Sequence, residues 1–255
     1  LSTYIDGRYI NEIWGYKTVW IAKTPEEMDN HLATMKNGGQ DALGNNWGSG
    51  DVMYAVLNGD GKISSCSNTL KDHGDLELIG NSTPRYLFGL DMNASWKGFD
   101  LRVFLQGVMK RDCWVGGTYL FGTTGQGQWW STGISKVQDY FRDADTWSVK
   151  NGYEAENTDA YLPRPLYSDK NLQTQTRYLQ NAAYIRLKNL QIGYTVPLSV
   201  VSRFGITNLR VFFSGENLLT GTKLAKQFDP ETVFSNNGNG YPLSKTYSFG
   251  LSVTF

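Results

Sequence analysis

Cysteine and histidine are nearly missing from this chain: two of each, Cys66, Cys113, His31 and His73, in 255 residues. Two cysteines make neither a disulfide framework nor a zinc spacing. A single bridge would need a specific geometry, and the pair is read as two unrelated thiols. The two histidines sit among ordinary polar residues in segments read as solvated loops. No nucleophile elbow or phosphate-cradling glycine loop accompanies them, so catalysis finds no support. Charge imbalance is missing too. With 24 basic and 24 acidic side chains there is no field to draw a nucleic acid. No apolar run approaches the ~18 residues of a membrane-spanning helix, and the mean hydropathy is −0.40. That leaves a β-barrel open, because each barrel strand offers lipid only every second residue. An initiator methionine and a signal peptide are also lacking. A chain that starts at Leu1 is read as processed, trimmed or part of something longer.

What is present is alternation. In the last strand Tyr247, Phe249, Leu251, Val253 and Phe255 share one face, and Thr246, Ser248, Gly250, Ser252 and Thr254 the other. A period of two is what a strand imposes on its side chains. A terminal aromatic on the apolar face fits the closing strand of an outer-membrane barrel. Upstream, Phe88, Leu90, Met92, Ala94 and Trp96 alternate with Gly89, Asp91, Asn93 and Ser95. A Lys97-Gly98 turn then leads to Phe99, Leu101, Val103 and Leu105 against Asp100, Arg102, Phe104 and Gln106. In 184–196, Ile185 and Leu187 keep one parity, and Leu190, Ile192, Tyr194 and Val196 the other. A one-residue slip near Lys188-Asn189 would restore register, which predicts a β-bulge. Pro197 ends that strand. Leu209, Val211 and Phe213 alternate with Arg210, Ser214 and Glu216, with Phe212 interrupting the polar face.

The reading is all-β: antiparallel strands over about 85–96, 99–110, 184–196, 208–218 and 244–255. The connections at Lys97-Gly98 and about 198–207 are short; those over about 20–84, 111–181 and 219–243 are long. With Phe255 at the periplasmic rim, both short connections fall on the periplasmic side and all three long ones outside, the asymmetry of outer-membrane barrels. Five strands cannot close a lipid-facing barrel, and an open edge in lipid would leave backbone groups unpaired. The chain is therefore expected to be the C-terminal part of a larger transmembrane barrel.

Several segments resemble one family. Tyr184-Ile185-Arg186-Leu187-Lys188-Asn189-Leu190-Gln191-Ile192-Gly193-Tyr194, followed by Val196-Pro197, is similar to a characteristic strand of the SusC/RagA-type TonB-dependent outer-membrane transporters. So are Leu209 to Thr220, with its Ser214-Gly215-Glu216-Asn217-Leu218 core, and the ending from Tyr241-Pro242 to Phe255. Asn58-Gly59-Asp60-Gly61-Lys62-Ile63, then Ile79-Gly80-Asn81-Ser82-Thr83-Pro84-Arg85-Tyr86, resemble the family's preceding signature, and Trp14 to Thr18 an earlier one. The resemblance implies a 22-stranded barrel with a plugged lumen, in a Gram-negative outer membrane. It implies import of oligosaccharides or peptides, powered by TonB, beside a SusD-like surface lipoprotein. The plug and TonB box of the family lie towards its N-terminus and are not found in this sequence. A soluble β-rich binding module and an outer-membrane barrel enzyme are the competing readings.

Candidate site residues follow. The polar strand faces would turn Asp91, Arg102, Arg186, Lys188, Arg210 and Glu216 to the lumen, to meet substrate or plug or simply to line a wet channel. Trp114, Tyr119, Trp129, Trp130 and Trp147 in the 111–181 segment would touch substrate or lipoprotein, or pack the loop itself. Trp129-Trp130, flanked by Gly125, Gly127 and Gly133, is the preferred contact pair. Asn58, Asp60 and the Lys62 carbonyl resemble part of a calcium loop. Val56 and Ser67 stand where its first and twelfth ligands belong, and a glycine-rich turn is the competing reading. No other cofactor is implied. Phe255 is read as the barrel-assembly signal.

Overall fold

Alternating sequence produces a five-stranded antiparallel meander, and the segments between its strands produce the hydrophobic core. The computed structural model describes residues 5, 7–122, 135–235 and 238–255. In chain order the elements are β1 (Glu12–Tyr16), β2 (Thr18–Ile21), α1 (Pro25–Ala33), β3 (Val52–Tyr54), β4 (Leu76–Asn81), β5 (Arg85–Trp96), β6 (Phe99–Lys110) and β7 (Asp112–Cys113). Then come α2 (Thr118–Phe121), α3 (Trp147–Lys150), β8 (Gln180–Asn181), β9 (Tyr184–Thr195), α4 (Leu198–Val201), β10 (Asn208–Thr222) and β11 (Thr246–Thr254). The large sheet has the order β11-β10-β9-β6-β5, and every neighbouring pair is antiparallel. β5 and β6 are joined by Lys97 and Gly98, both at positive φ (48° and 90°). That is the geometry of a tight hairpin turn whose twist matches the strands.

The register places Leu90, Leu105, Leu187 and Leu219 on one face with Phe99, Tyr194, Val211 and Leu251, and no other layer of the described residues covers that face. Leu251 is 65% and Phe249 83% exposed. A soluble sandwich would bury these side chains against a second layer; here they form a bare apolar band.

The slip expected near Lys188 is present, and it grows across the sheet. Between β6 and β9 the register jumps from Phe104↔Asn189 to Leu105↔Leu187, so Lys188 is the extra residue. Between β9 and β10 it jumps from Glu216↔Asn189 to Leu219↔Leu187, so Asn217 and Leu218 stand against Lys188. Asn217 takes φ 53°, which an Asx side chain tolerates. This shift hides the continuation of β10, which runs to Thr222 rather than stopping near 218.

The segments expected to be long loops are folded. β1 pairs with β4, β2 with β3 and β7 with β8. Tyr16, Tyr54, Ile63, Val115, Phe121, Phe141, Leu162, Tyr178, Leu224, Phe228 and Val233 share one core drawn from all three segments. A smaller cluster holds Ala22, Met28 and Met53. His31 is corrected from a solvated loop residue to a part-buried one on α1. That helix starts on Thr24, whose side chain accepts from Glu27 N (3.2 Å), with Pro25 in its first turn.

Candidate functional site

The polar face of the sheet carries rows of residues set by register. One row runs Asp91, Phe104, Asn189, Glu216 and Thr246; the next runs Asn93, Arg102, Gln191, Ser214 and Ser248. All six charged residues expected on this face are there, and most are paired. Arg102 donates to Asp91 through Nη2 (2.8 Å) and Nε (3.3 Å) on the adjacent strand. Arg210 reaches from β10 across β9 to Asp100 on β6, with Nε–Oδ1 2.9 Å and Nη2–Oδ2 2.5 Å. Asn93, Ser95, Asp100, Arg102, Gln191 and Arg210 line a shallow polar cavity on this face. Glu216 is exposed there and forms no ion pair among the described residues.

Nearer the other end of the strands the wall is met by the segment after β10. Arg186 is 2% exposed and donates to Asp229 Oδ2 (2.6 Å), Glu231 Oε1 (2.5 Å) and Thr220 Oγ1 (2.8 Å). Lys188, the extra residue of the bulge, donates to Glu231 Oε2 (2.9 Å) and Asn217 Oδ1 (3.3 Å). Two cations and two acids thus form one closed cluster. Lys188 keeps the face of Arg186 two residues before it, and the bulge lets Asn189 resume on that same face. Asp229 and Glu231 were not singled out in the sequence. Their spacing, with a proline between two acids, is unremarkable until the fold sets it opposite Arg186.

The folded segments above the sheet are organised by two wholly buried carboxylates. Asp51 accepts from Arg164 Nε (2.9 Å) and Nη2 (2.6 Å), Lys170 Nζ (2.9 Å), Asn171 Nδ2 (2.9 Å) and Gly48 N (2.9 Å). Lys170 completes its donors on the carbonyls of Asn45 and Asn46 and lies 4.5 Å from the Trp47 ring. Burial draws the Lys170 ammonium below its usual pKa, and Asp51 opposes that shift. This hub binds residues 45–51 to residues 164–171. Asp75 accepts from Leu57 N, Asn58 N and Ser64 N and so pins the Asn58-Gly59-Asp60-Gly61 turn. Within that turn Asn58 Oδ1 accepts from Asp60 N and Asp60 Oδ1 from Lys62 N, both at 3.0 Å. These bonds are sufficient to hold the turn, and no group of three acidic, histidine or cysteine side chains surrounds an ion position among the described residues. The calcium reading rests on the sequence pattern alone.

No protein-family model matches the chain. TonB-dependent receptor P3 of Formosa agariphila is 31% identical over 221 residues, 81% of this chain and 19% of the relative. TonB-dependent receptor P26 of the same organism is 26% identical over 218 residues, again 81% of this chain. The chain belongs to the TonB-dependent receptors. It spans about a fifth of the length of these curated relatives, 19% and 20%. Among solved structures, a chain of the RagAB peptide transporter superposes over 100% of this one and 25% of its own length, with TM-score 0.62 and 22% identity. The RagAB peptide importer in its closed-closed state matches with TM-score 0.58 and 24% identity over 97% of this chain. These likenesses show a shared fold.

In this chain the aromatic candidates separate by environment. Trp114 is part-buried, packs on the core and meets Phe121 at 6.1 Å, the packing alternative of the two given for it. Tyr119 is 50% exposed and Trp147 70%. Trp147 lies stacked on Tyr153, with ring centroids 5.4 Å apart and 22° between planes. Trp129 and Trp130 fall outside the described residues. Phe255 follows the last paired residue, Thr254, and is exposed.

Proposed function

We propose that the complete protein is an outer-membrane nutrient importer, taking up oligosaccharides or peptides with energy from TonB and with a SusD-like surface lipoprotein as partner. The observation that carries this reading is the two-sided sheet. One face is apolar and uncovered. The other is polar, with most of its charges compensated by neighbouring side chains. A folded layer roofs one end. A lipid bilayer is the solvent that suits the first face, and a water-filled lumen suits the second. Both outer strands, β5 and β11, have an edge unpaired among the described residues, so the same physics calls for further strands on either side. A 22-stranded barrel is the size that holds a plugged lumen.

The mechanism in this reading is binding and gated passage. The relatives are receptors by name and the solved neighbours transporters or importers, and the paired wall charges are suited to lining a channel. The peptide named for the RagAB structures supports the peptide branch of the substrate proposal; oligosaccharide stands beside it on the family resemblance. The test is a deletion strain grown on defined oligosaccharides and peptides as sole nutrient, with uptake of a labelled oligomer measured with and without TonB. Uptake that persists in the deletion strain, or that needs no TonB, overturns the reading.

A further inference from the structure

The segment between β10 and β11 leaves a cavity against the inner wall. Arg186 and Thr220 form its wall side, Phe228 and Leu243 part of its apolar floor, and Lys226 and Lys245 its remaining cations. The local charges do not balance. Arg186 and Lys188 are matched by Asp229 and Glu231. Lys226 and Lys245 are exposed and form no ion pair among the described residues. The neutral polar groups are already engaged: Asn217 Nδ2 donates to Ser244 O, Gln227 Nε2 to Tyr119 O and Thr222 Oγ1 to Ala183 O. The groups left to receive a ligand are two ammonium ions over an apolar floor.

We propose that this cavity is a binding site for the carboxylate groups of an acidic oligomer, held by Lys226 and Lys245. Glu216 shares this face but sits exposed beside Thr246 without a cation partner, so the lysines are not neutralised from the strand side. The part-buried Arg186–Asp229–Glu231 cluster serves as the scaffold that fixes the loop carrying Lys226. Calling the ligand a transported substrate rests on the import reading; the binding itself does not. The carboxylate has two natural sources, acidic peptides and uronic-acid sugars.

The experiment uses the full-length receptor in detergent and measures binding of tetraglutamate and tetragalacturonate against tetraglutamine and neutral tetragalactose. The wild type is expected to prefer at least one acidic probe over its neutral counterpart by about tenfold or more, and high salt is expected to erase the preference. Preference for tetraglutamate alone assigns peptide carboxylates; preference for tetragalacturonate alone assigns uronic acids. The Lys226→Gln, Lys245→Gln double variant should lose the preference and keep heat-modifiable folding, because both side chains are exposed. Equal binding of acidic and neutral probes by the wild type overturns the proposal. So does an acid preference that survives the double substitution, or one insensitive to salt. An intact acid preference without uptake in cells would instead overturn the import reading and leave this site standing.

Discussion

Asp100 and Arg210 form a two-bonded ion pair although a whole strand separates them. They lie on β6 and β10, and between them β9 presents Gly193. A Cβ at Gly193 would fall against both the carboxylate and the guanidinium. The glycine is therefore the gap through which the pair closes, and Arg210 also lies 4.9 Å from the Phe212 ring beside it.

Gly193→Val should break this pair and force the side chains apart. The expected loss is roughly 1–3 kcal/mol, the usual range for overpacking. Asp100→Ser with Arg210→Ser should cost less, because the pair is part-exposed and screened by solvent. Denaturant midpoints of the full-length protein in detergent check both; a Gly193→Val midpoint equal to wild type would refute the gap.

Leu251 and Ser252 are neighbours on opposite faces of β11. Leu251→Arg should cost roughly 2–4 kcal/mol near the bilayer midplane, and Ser252→Arg far less. Spin labels at the two positions should report lipid at 251 and water at 252. The reverse pattern would invert the sheet.

Cys113 is 3% exposed, and burial pushes its thiol up to about 11, while Cys66 is exposed. A thiolate is the reactive form. Iodoacetamide near neutral pH should therefore label Cys66 and spare Cys113 in the folded protein, with both labelled after denaturation. Native labelling of Cys113 would contradict its placement in the core.

Burial lowers the pKa of His31 from its ordinary 6.5, against a weaker opposing effect from Gln40. Between the lowered value and 6.5 the unfolded state binds more protons than the folded one. Stability is therefore whole above 6.5 and falls as pH drops through that window. Amide protection factors in α1, taken relative to the intrinsic exchange rate at each pH, should fall from about pH 7.5 to about pH 5.5, and His31→Gln should flatten the change. Equal protection factors in α1 at both pH values in the wild type would show that His31 is not desolvated.

Much of the sheet was legible because a strand has a fixed period of two and one face here is apolar. The hairpin at Lys97-Gly98 and the slip at Lys188 both follow from counting parity. The helix α1 carried a readable signal as well, Thr24-Pro25 followed by Glu27, but it lies in a segment whose length reads as loop. The clustering of Arg186, Lys188, Asp229 and Glu231 had no such signal, since residues some forty positions apart are joined only by folding.

The sequence by itself determined which side chains share a strand face, where the chain turns back and which family it resembles, because these depend on local period and on short motifs. Tertiary structure alone decided that the connecting segments own the hydrophobic core, that Asp51 and Asp75 are buried hubs, and that the wall charges neutralise one another in pairs. Those outcomes depend on contacts between distant positions, on Gly193 leaving room for one pair and on the segment after β10 bringing Asp229 and Glu231 to Arg186 and Lys188. No local pattern encodes such distances.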